Sequence, residues 1–220
     1  MSLVLGLEIT PRAVRGAFLR TALRGSEMER YTEVALPYSA DSESPGELLR
    51  GAVAEVMAQA ERTPDRVVAA MDGQSASLRL IDLPAGVEKK IAEVLPGELG
   101  ALLPFEIDEA VVDYQIVGRD ETTIQLMTVA APREKVEARL AELGEAGIDP
   151  RELAVGAAAF DGLSGLLGDV LAERTVLIID VGPVSTDFAV LSDRQCTFAR
   201  TLSGGMDLVE SGRRAQLGSA

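Results

Sequence analysis

The segment Ile179-Asp-Val-Gly-Pro-Val-Ser-Thr-Asp-Phe188 holds the residues best suited to chemistry. A strand ending in aspartate, then a glycine, then hydroxyl residues opening the next strand, makes a hairpin that can clasp phosphate. Gly182 lets backbone N–H groups approach phosphate oxygens. Ser185 or Thr186 can donate to those oxygens, and Asp180 can hold a hydrated magnesium ion. Asp180, Gly182 and Ser185 or Thr186 are therefore the candidate phosphate-binding residues of this hairpin. Asp-X-Gly is equally the pattern of an ordinary tight hairpin, so a purely structural reading stands beside the chemical one.

Other chemistry is limited by composition. The 220 residues include no histidine, no tryptophan and one cysteine, Cys196. Ser-His-Asp and Cys-His systems, histidine zinc motifs, cysteine-rich clusters and internal disulfides are all excluded. The single cysteine fits a reducing, cytoplasmic setting. The acidic run Glu106, Asp108 and Glu109 falls in a loop with no histidine or lysine placed to tune it. No residue is assigned a catalytic or metal-ligating role. Thirty-five acidic residues against 21 basic ones give a net charge of −14. That surface repels phosphate backbones and anionic headgroups, so nucleic acid is not an expected partner; solubility alone also accounts for it.

The elements that must hold the hairpin follow from patterning. With 47% hydrophobic and 25% charged residues the chain is globular. Its apolar runs are strand-sized, far short of the roughly 20 residues of a spanning helix. The N-terminus enters a strand directly, with no basic region of the kind that opens a signal peptide. Strands are predicted over Leu3–Ile9, Ala13–Arg20 and Glu29–Ala35, with turns at Thr10-Pro11 and Arg24-Gly25-Ser26. Ser44-Pro-Gly-Glu47 reads as a capping box opening a helix with Leu48, Leu49, Ala52, Val53, Val56, Met57 and Ala60 on one stripe. Val67–Met71 returns as a buried strand.

A second unit reads strand (Ser77–Leu83), helix (87–103, interrupted at Pro96-Gly97), hairpin (Val111–Val117 and Thr123–Val129), helix and short strand (Glu152–Val155). The second helix opens at Pro132, turns Val136, Leu140 and Leu143 inward, and ends at Gly144 and Gly147. That order is ferredoxin-like, βαββαβ. Ala157–Leu171 is expected as a buried helix. Three strands (Val176–Asp180, Thr186–Leu191, Cys196–Leu202), Gly204-Gly205 and a helix start at Met206–Glu210 close the chain. Phe105 and Tyr114 beside the hairpin are expected in the core, and Arg12, Arg15 and Arg20 on an exposed strand face.

These features together resemble the actin-like ATPase fold, in which two hairpins each open a lobe with a three-stranded meander. The inserted unit resembles the bacterial subgroup of FtsA, PilM and GspL. The PilM–GspL branch is the most similar, through Leu103-Pro-Phe-Glu-Ile-Asp-Glu109, Val112-Asp-Tyr-Gln-Ile-Val117, Val129-Ala-Ala-Pro-Arg-Glu134, Glu145-Ala-Gly-Ile148 and Arg200-Thr-Leu-Ser-Gly-Gly205. The resemblance implies an α/β, actin-like lobe at 1–76, a ferredoxin-like insertion at 77–155, a helix returning to the first lobe at 156–173 and the start of a truncated second lobe at 174–220.

By this resemblance the first phosphate hairpin is Leu7-Glu-Ile-Thr-Pro-Arg-Ala-Val-Arg15. Where nucleotide-binding relatives read Asp-X-Gly-Ser, Glu8 is a longer carboxylate, Thr10 adds a side chain and Pro11 removes a donor. In the second hairpin Asp180, Gly182, Thr186 and Asp187 remain as a vestigial cofactor-binding set, while Pro183 removes another donor. The departures imply no bound cofactor and no ATPase, with an ATP- and magnesium-binding actin-like protein as an alternative. They also favour GspL over PilM. The implied role is a scaffold at the cytoplasmic face of the inner membrane, with a membrane anchor in the full-length protein. It docks the N-terminal domain of the secretion ATPase GspE and links it to the inner-membrane platform proteins of type II secretion. The alternative role is type IV pilus assembly, holding the N-terminal peptide of PilN in a groove near the insertion. Homodimer formation is left open.

Overall fold

A computed structural model describes residues 1–23, 25–36, 45–163, 174–192 and 195–209. The chain divides into two compact units, Met1–Met71 with Glu137–Ala154, and Asp72–Val136 with Val155–Ala220.

The first unit is a five-stranded sheet covered on one face by helices. Strands β1 (Ser2–Ile9), β2 (Ala13–Ala22) and β3 (Gly25–Ala35) form an antiparallel meander. Helix α1 (Pro45–Ala58) carries the chain to β4 (Arg66–Met71), which pairs parallel to β1 with Leu5 opposite Val67. Alternation along β1 sends Leu3, Leu5 and Leu7 to one face. There they form a core with Val14, Phe18 and the α1 stripe Leu49, Ala52, Val53 and Val56. Met57 and Ala60 pack at its margin. The predicted capping serine, Ser44, lies outside the described residues, as do Arg24 of the second turn and Glu210 of the last helix start.

The same sheet takes in two elements that the sequence placed elsewhere. Helix α3 (Arg133–Glu145) delivers Leu143, Ala146 and Ile148 to this core, and β8 (Glu152–Val155) lies beside β4 in the order β3-β2-β1-β4-β8. Arg151 N–H donates to the Val67 carbonyl at 2.9 Å. The α3 end follows its glycine signal. Gly147 has φ +83°, and Ile148 N–H reaches back to the Leu143 carbonyl at 2.8 Å. Leu140, expected inward, is exposed, because the buried position of α3 is filled by Leu143 and by the Arg139 stem.

The second unit contains two three-stranded antiparallel sheets. β5 (Ser77–Pro84), β6 (Ala110–Arg119) and β7 (Thr123–Pro132) form one, in the order β5-β7-β6. Helix α2 (Ile91–Gly100) covers it with Ile91, Leu95 and Leu99 against Ile81, Leu83, Ile124 and Leu126. The helix runs through Pro96; the break falls earlier, where a 3₁₀ turn over Ala85–Lys90 precedes it. Leu102 is exposed, Phe105 half-buried and Tyr114 exposed, so the expectation of a core aromatic does not hold for Tyr114.

The inserted βαββαβ unit is therefore built only through its first helix and three strands. Its second helix and last strand complete the first sheet. Periodicity identifies an element and its apolar stripe, but not which sheet the stripe will cover. The predicted helix 157–171 is a 3₁₀ helix over Gly156–Leu163, and the rest of it lies outside the described residues. The other sheet is β9 (Thr175–Val181), β10 (Ser185–Ser192) and β11 (Gln195–Ser203), in the order β11-β10-β9.

Candidate functional site

The candidate phosphate hairpin joins β9 to β10, and several of its polar groups bond within the chain. Gly182 N–H donates to the Ser185 carbonyl at 2.9 Å and closes the turn. The Thr186 hydroxyl donates to the Gly204 carbonyl at 2.8 Å. Gly204 N–H donates to the Val184 carbonyl, Met206 N–H to Gly182 and Asp207 N–H to Pro183, at 2.9, 2.9 and 3.0 Å. The turn is thus stitched to the strand-to-helix turn at Gly204-Gly205. Only glycine fits at 205: a Cβ there would strike the Gly182 carbonyl oxygen and lie 2.7 Å from the Pro183 carbonyl carbon.

Asp180 and Asp187 stand directly opposite each other on β9 and β10. Like charges so placed repel. The Thr201 hydroxyl donates to Asp187 Oδ1 and offsets part of that repulsion. Gln74 adds a further clamp: its Nε2 donates to the Val184 carbonyl at 3.3 Å, and its Oε1 accepts from the Ser203 hydroxyl at 3.1 Å. Thr201 and Gly205 lie in the Arg200–Gly205 motif, but Gln74 was not singled out in the sequence, because no short motif marks a residue that clamps a turn from a distance.

The β1–β2 hairpin supplies its own substitute for a phosphate oxygen. Thr10 Oγ1 accepts N–H bonds from Arg12 at 3.2 Å and Ala13 at 3.0 Å, and donates to the Ala13 carbonyl at 3.1 Å. Thr10 N–H donates to the same carbonyl at 2.9 Å. Pro11 contributes no N–H. Glu8 is engaged as well, by Arg15 Nη1 at 3.1 Å, while Arg15 Nε reaches Glu33 at 2.9 Å and the Tyr31 hydroxyl donates to Glu33 at 3.0 Å.

This chain of partners sets the local protonation. Glu33 is held below the usual carboxylate range by the Tyr31 hydroxyl and by Arg15. Burial opposes the charge on Arg15, but the bonds to Glu8 and Glu33 outweigh it and raise its pKa. Burial and Glu33 together raise Tyr31. Among the described residues no group of three or more acidic, histidine or cysteine side chains is gathered to hold a metal. The Thr10 and Thr186 hydroxyls and the Gly182 N–H thus all bond within the chain.

On the face of the first sheet away from α1, Gly6, Ala17, Val68, Ala70 and Ala154 floor an open groove of about 370 Å³. Glu8, Arg15 and Tyr31 also line it. The floor is shallow because these strand positions carry small side chains, and a ligand backbone can approach the sheet closely. Arg139 steadies this region from the other side of β4, donating Nε and Nη2 to the Ala70 carbonyl at 3.1 and 2.7 Å. No short motif marks the floor positions, which lie on four separate strands.

Comparison with known proteins gives this geometry a context. The sequence profile of the type IV pilus assembly protein PilM matches residues 6–214. A solved PilM–PilN type IV pilus biogenesis complex is similar at 26% identity and a TM-score of 0.77, over 96% of this chain and 65% of that one. The cytoplasmic domain of EpsL, an inner-membrane component of the type II secretion system of Vibrio cholerae, is similar in fold. The match has 17% identity and a TM-score of 0.56, over 92% of this chain and 71% of that one. The chain thus spans just under two thirds of the PilM structure it matches. The sequence reading leaned toward GspL; identity and TM-score are both higher for PilM.

Proposed function

Because the chain belongs to the family of type IV pilus assembly protein PilM, we propose that it is a non-enzymatic scaffold for pilus assembly that holds a short N-terminal peptide of a PilN-type membrane partner. The match across residues 6–214 carries this reading, and the likeness to a PilM–PilN complex supports it. The groove over Gly6, Ala17, Val68, Ala70 and Ala154 is the candidate seat. Its small floor admits an extended apolar segment, and Arg15, Glu8 and Tyr31 offer polar partners at the rim. Among the described residues no helix is long and apolar enough to cross a membrane. On this reading the chain works at the cytoplasmic face of the inner membrane, brought there by its partner.

The test is a titration of a labelled peptide from the N-terminus of the PilN-type protein of the same genome. Saturable binding that is lost in Ala17→Arg, with an unchanged melting temperature, is expected. No binding to the folded protein would overturn the assignment.

The observation that favours a GspL-like role is the self-satisfied first hairpin. On that second reading the acidic chain docks the N-terminal domain of the secretion ATPase GspE and couples it to the inner-membrane platform. Co-purification of that domain at low and moderate salt would support it; its absence at both would remove it. The engaged hairpin donors are the ground for proposing neither ATP binding nor hydrolysis.

A further inference from the structure

A second hollow, of about 550 Å³, opens on the α1 face of the first sheet, past the end of the helix. A 14-residue helix is about 21 Å long, whereas the ten residues of β2 span about 34 Å, so α1 leaves one end of the sheet uncovered. The floor there is apolar, made by Leu3, Phe18 and Ala60. Residues 59–62, which follow α1, form one wall.

A β-bulge supplies the charged lining. β2 and β3 pair Phe18 with Arg30 and Leu19 with Met28, which leaves Glu29 as the extra residue. Strict alternation sends two neighbours to opposite faces, yet Glu29 and Arg30 both line the hollow. Bulges re-aim side chains in this way beside functional sites. Arg20 and Arg62 join them, so guanidinium groups from three segments, β2, β3 and the turn after α1, meet two carboxylates, Glu29 and Glu61. That balance is the reverse of the whole chain, with 21 basic residues against 35 acidic ones. Arg20 is engaged by Glu29 and Arg62 by Asp65. Arg30 has no hydrogen-bond or ion-pair partner among the described residues.

We propose that this hollow binds a small amphiphilic anion, its carboxylate or phosphate gripped by Arg30 and its apolar body laid on Leu3, Phe18 and Ala60. The planar fork of an arginine holds either group through two N–H bonds. Because Arg30 is unpaired, it meets the anion without breaking a bond within the chain. The volume is within the roughly 300–1,000 Å³ range of small-molecule pockets. Glu61 opposes the anion and sets the sign of the test. The hollow lies on the opposite face of the sheet from the peptide groove, so the proposal stands apart from the assembly role.

Sodium octanoate and octyl phosphate, each titrated into the isotopically labelled 220-residue chain with octanol as the uncharged match, test the proposal by NMR. Saturable shifts at Leu3, Arg30 and Ala60 are expected from at least one anion, with octanol about tenfold weaker. Affinity should fall about tenfold in Arg30→Gln, recover in part in Arg30→Lys and rise in Glu61→Gln, all at an unchanged melting temperature. Gln59→Trp, which fills the hollow, should abolish binding. Shifts that neither anion produces, that fall elsewhere, that octanol reproduces equally or that survive Arg30→Gln overturn the proposal. So does weaker binding in Glu61→Gln, the mark of a cationic ligand. A response to phosphatidylglycerol vesicles without one to either soluble anion also overturns it, since the contact then belongs to a membrane surface.

Discussion

Asp65 is held by partners on two sides in the first unit. Leu3 N–H reaches its Oδ2 at 2.7 Å, and the two terminal nitrogens of Arg62 grip its oxygens at 2.9 and 2.8 Å. Arg62 first, then the Leu3 amide, hold its carboxyl down at about 2. A carboxylate depressed on folding contributes stability above its unfolded pKa, about 3.9, and loses it as pH falls toward the folded value. Urea midpoints should therefore fall between roughly pH 4 and pH 2, and Asp65→Asn should flatten that limb while lowering the neutral-pH midpoint. Cys196 shows the opposite environment. Burial pushes its thiol up to about 11, so it should resist a disulfide reagent at pH 8 in the native state and react once urea unfolds the chain. At Thr10 the sequence revealed a lost glycine but not its replacement. The hydroxyl now ties down the Arg12 and Ala13 amides, and Thr10→Val should cost about 1–2 kcal/mol while Thr10→Ser restores most of it.

At the scale of elements, α3 separates what patterning can show from what it cannot. Its span, its Gly147 stop and Leu143 as an inward residue were legible, because capping and periodicity are local physics. Its destination was not. The order strand, helix, strand, strand, helix, strand suits a ferredoxin-like unit, yet α3 and β8 complete the first sheet. Leu143→Ala should cost about 2–5 kcal/mol by urea denaturation, and Leu140→Ala no more than about 0.5 kcal/mol. Similar losses at the two positions would mean that α3 packs as the sequence alone suggested. The hairpin at Gly182 was found by its motif, but its wiring to Gly204-Gly205 and Gln74 comes from contacts distant in sequence. Gly205→Ala should loosen that stitching first, seen as faster amide exchange at Met206 and Asp207.

For the molecule as a whole, the family was legible because several separated motifs agree, whereas the groove was not, since Gly6, Ala17, Ala70 and Ala154 converge only after five strands are ordered. The absence of histidine and the Glu8-Ile-Thr-Pro11 turn pointed away from catalysis in the sequence, and in the structure the Thr10 hydroxyl of that turn bonds the Arg12 and Ala13 backbone. The proposed function is recognition of a peptide by a preformed sheet surface. Fluorescence anisotropy of the PilN-type N-terminal peptide against the wild-type protein and Ala17→Arg tests that claim most directly. Saturable binding by the wild type, abolished by Ala17→Arg and indifferent to added ATP and magnesium, is the predicted result. Absence of binding by the wild type, or binding that survives Ala17→Arg unchanged, would contradict it.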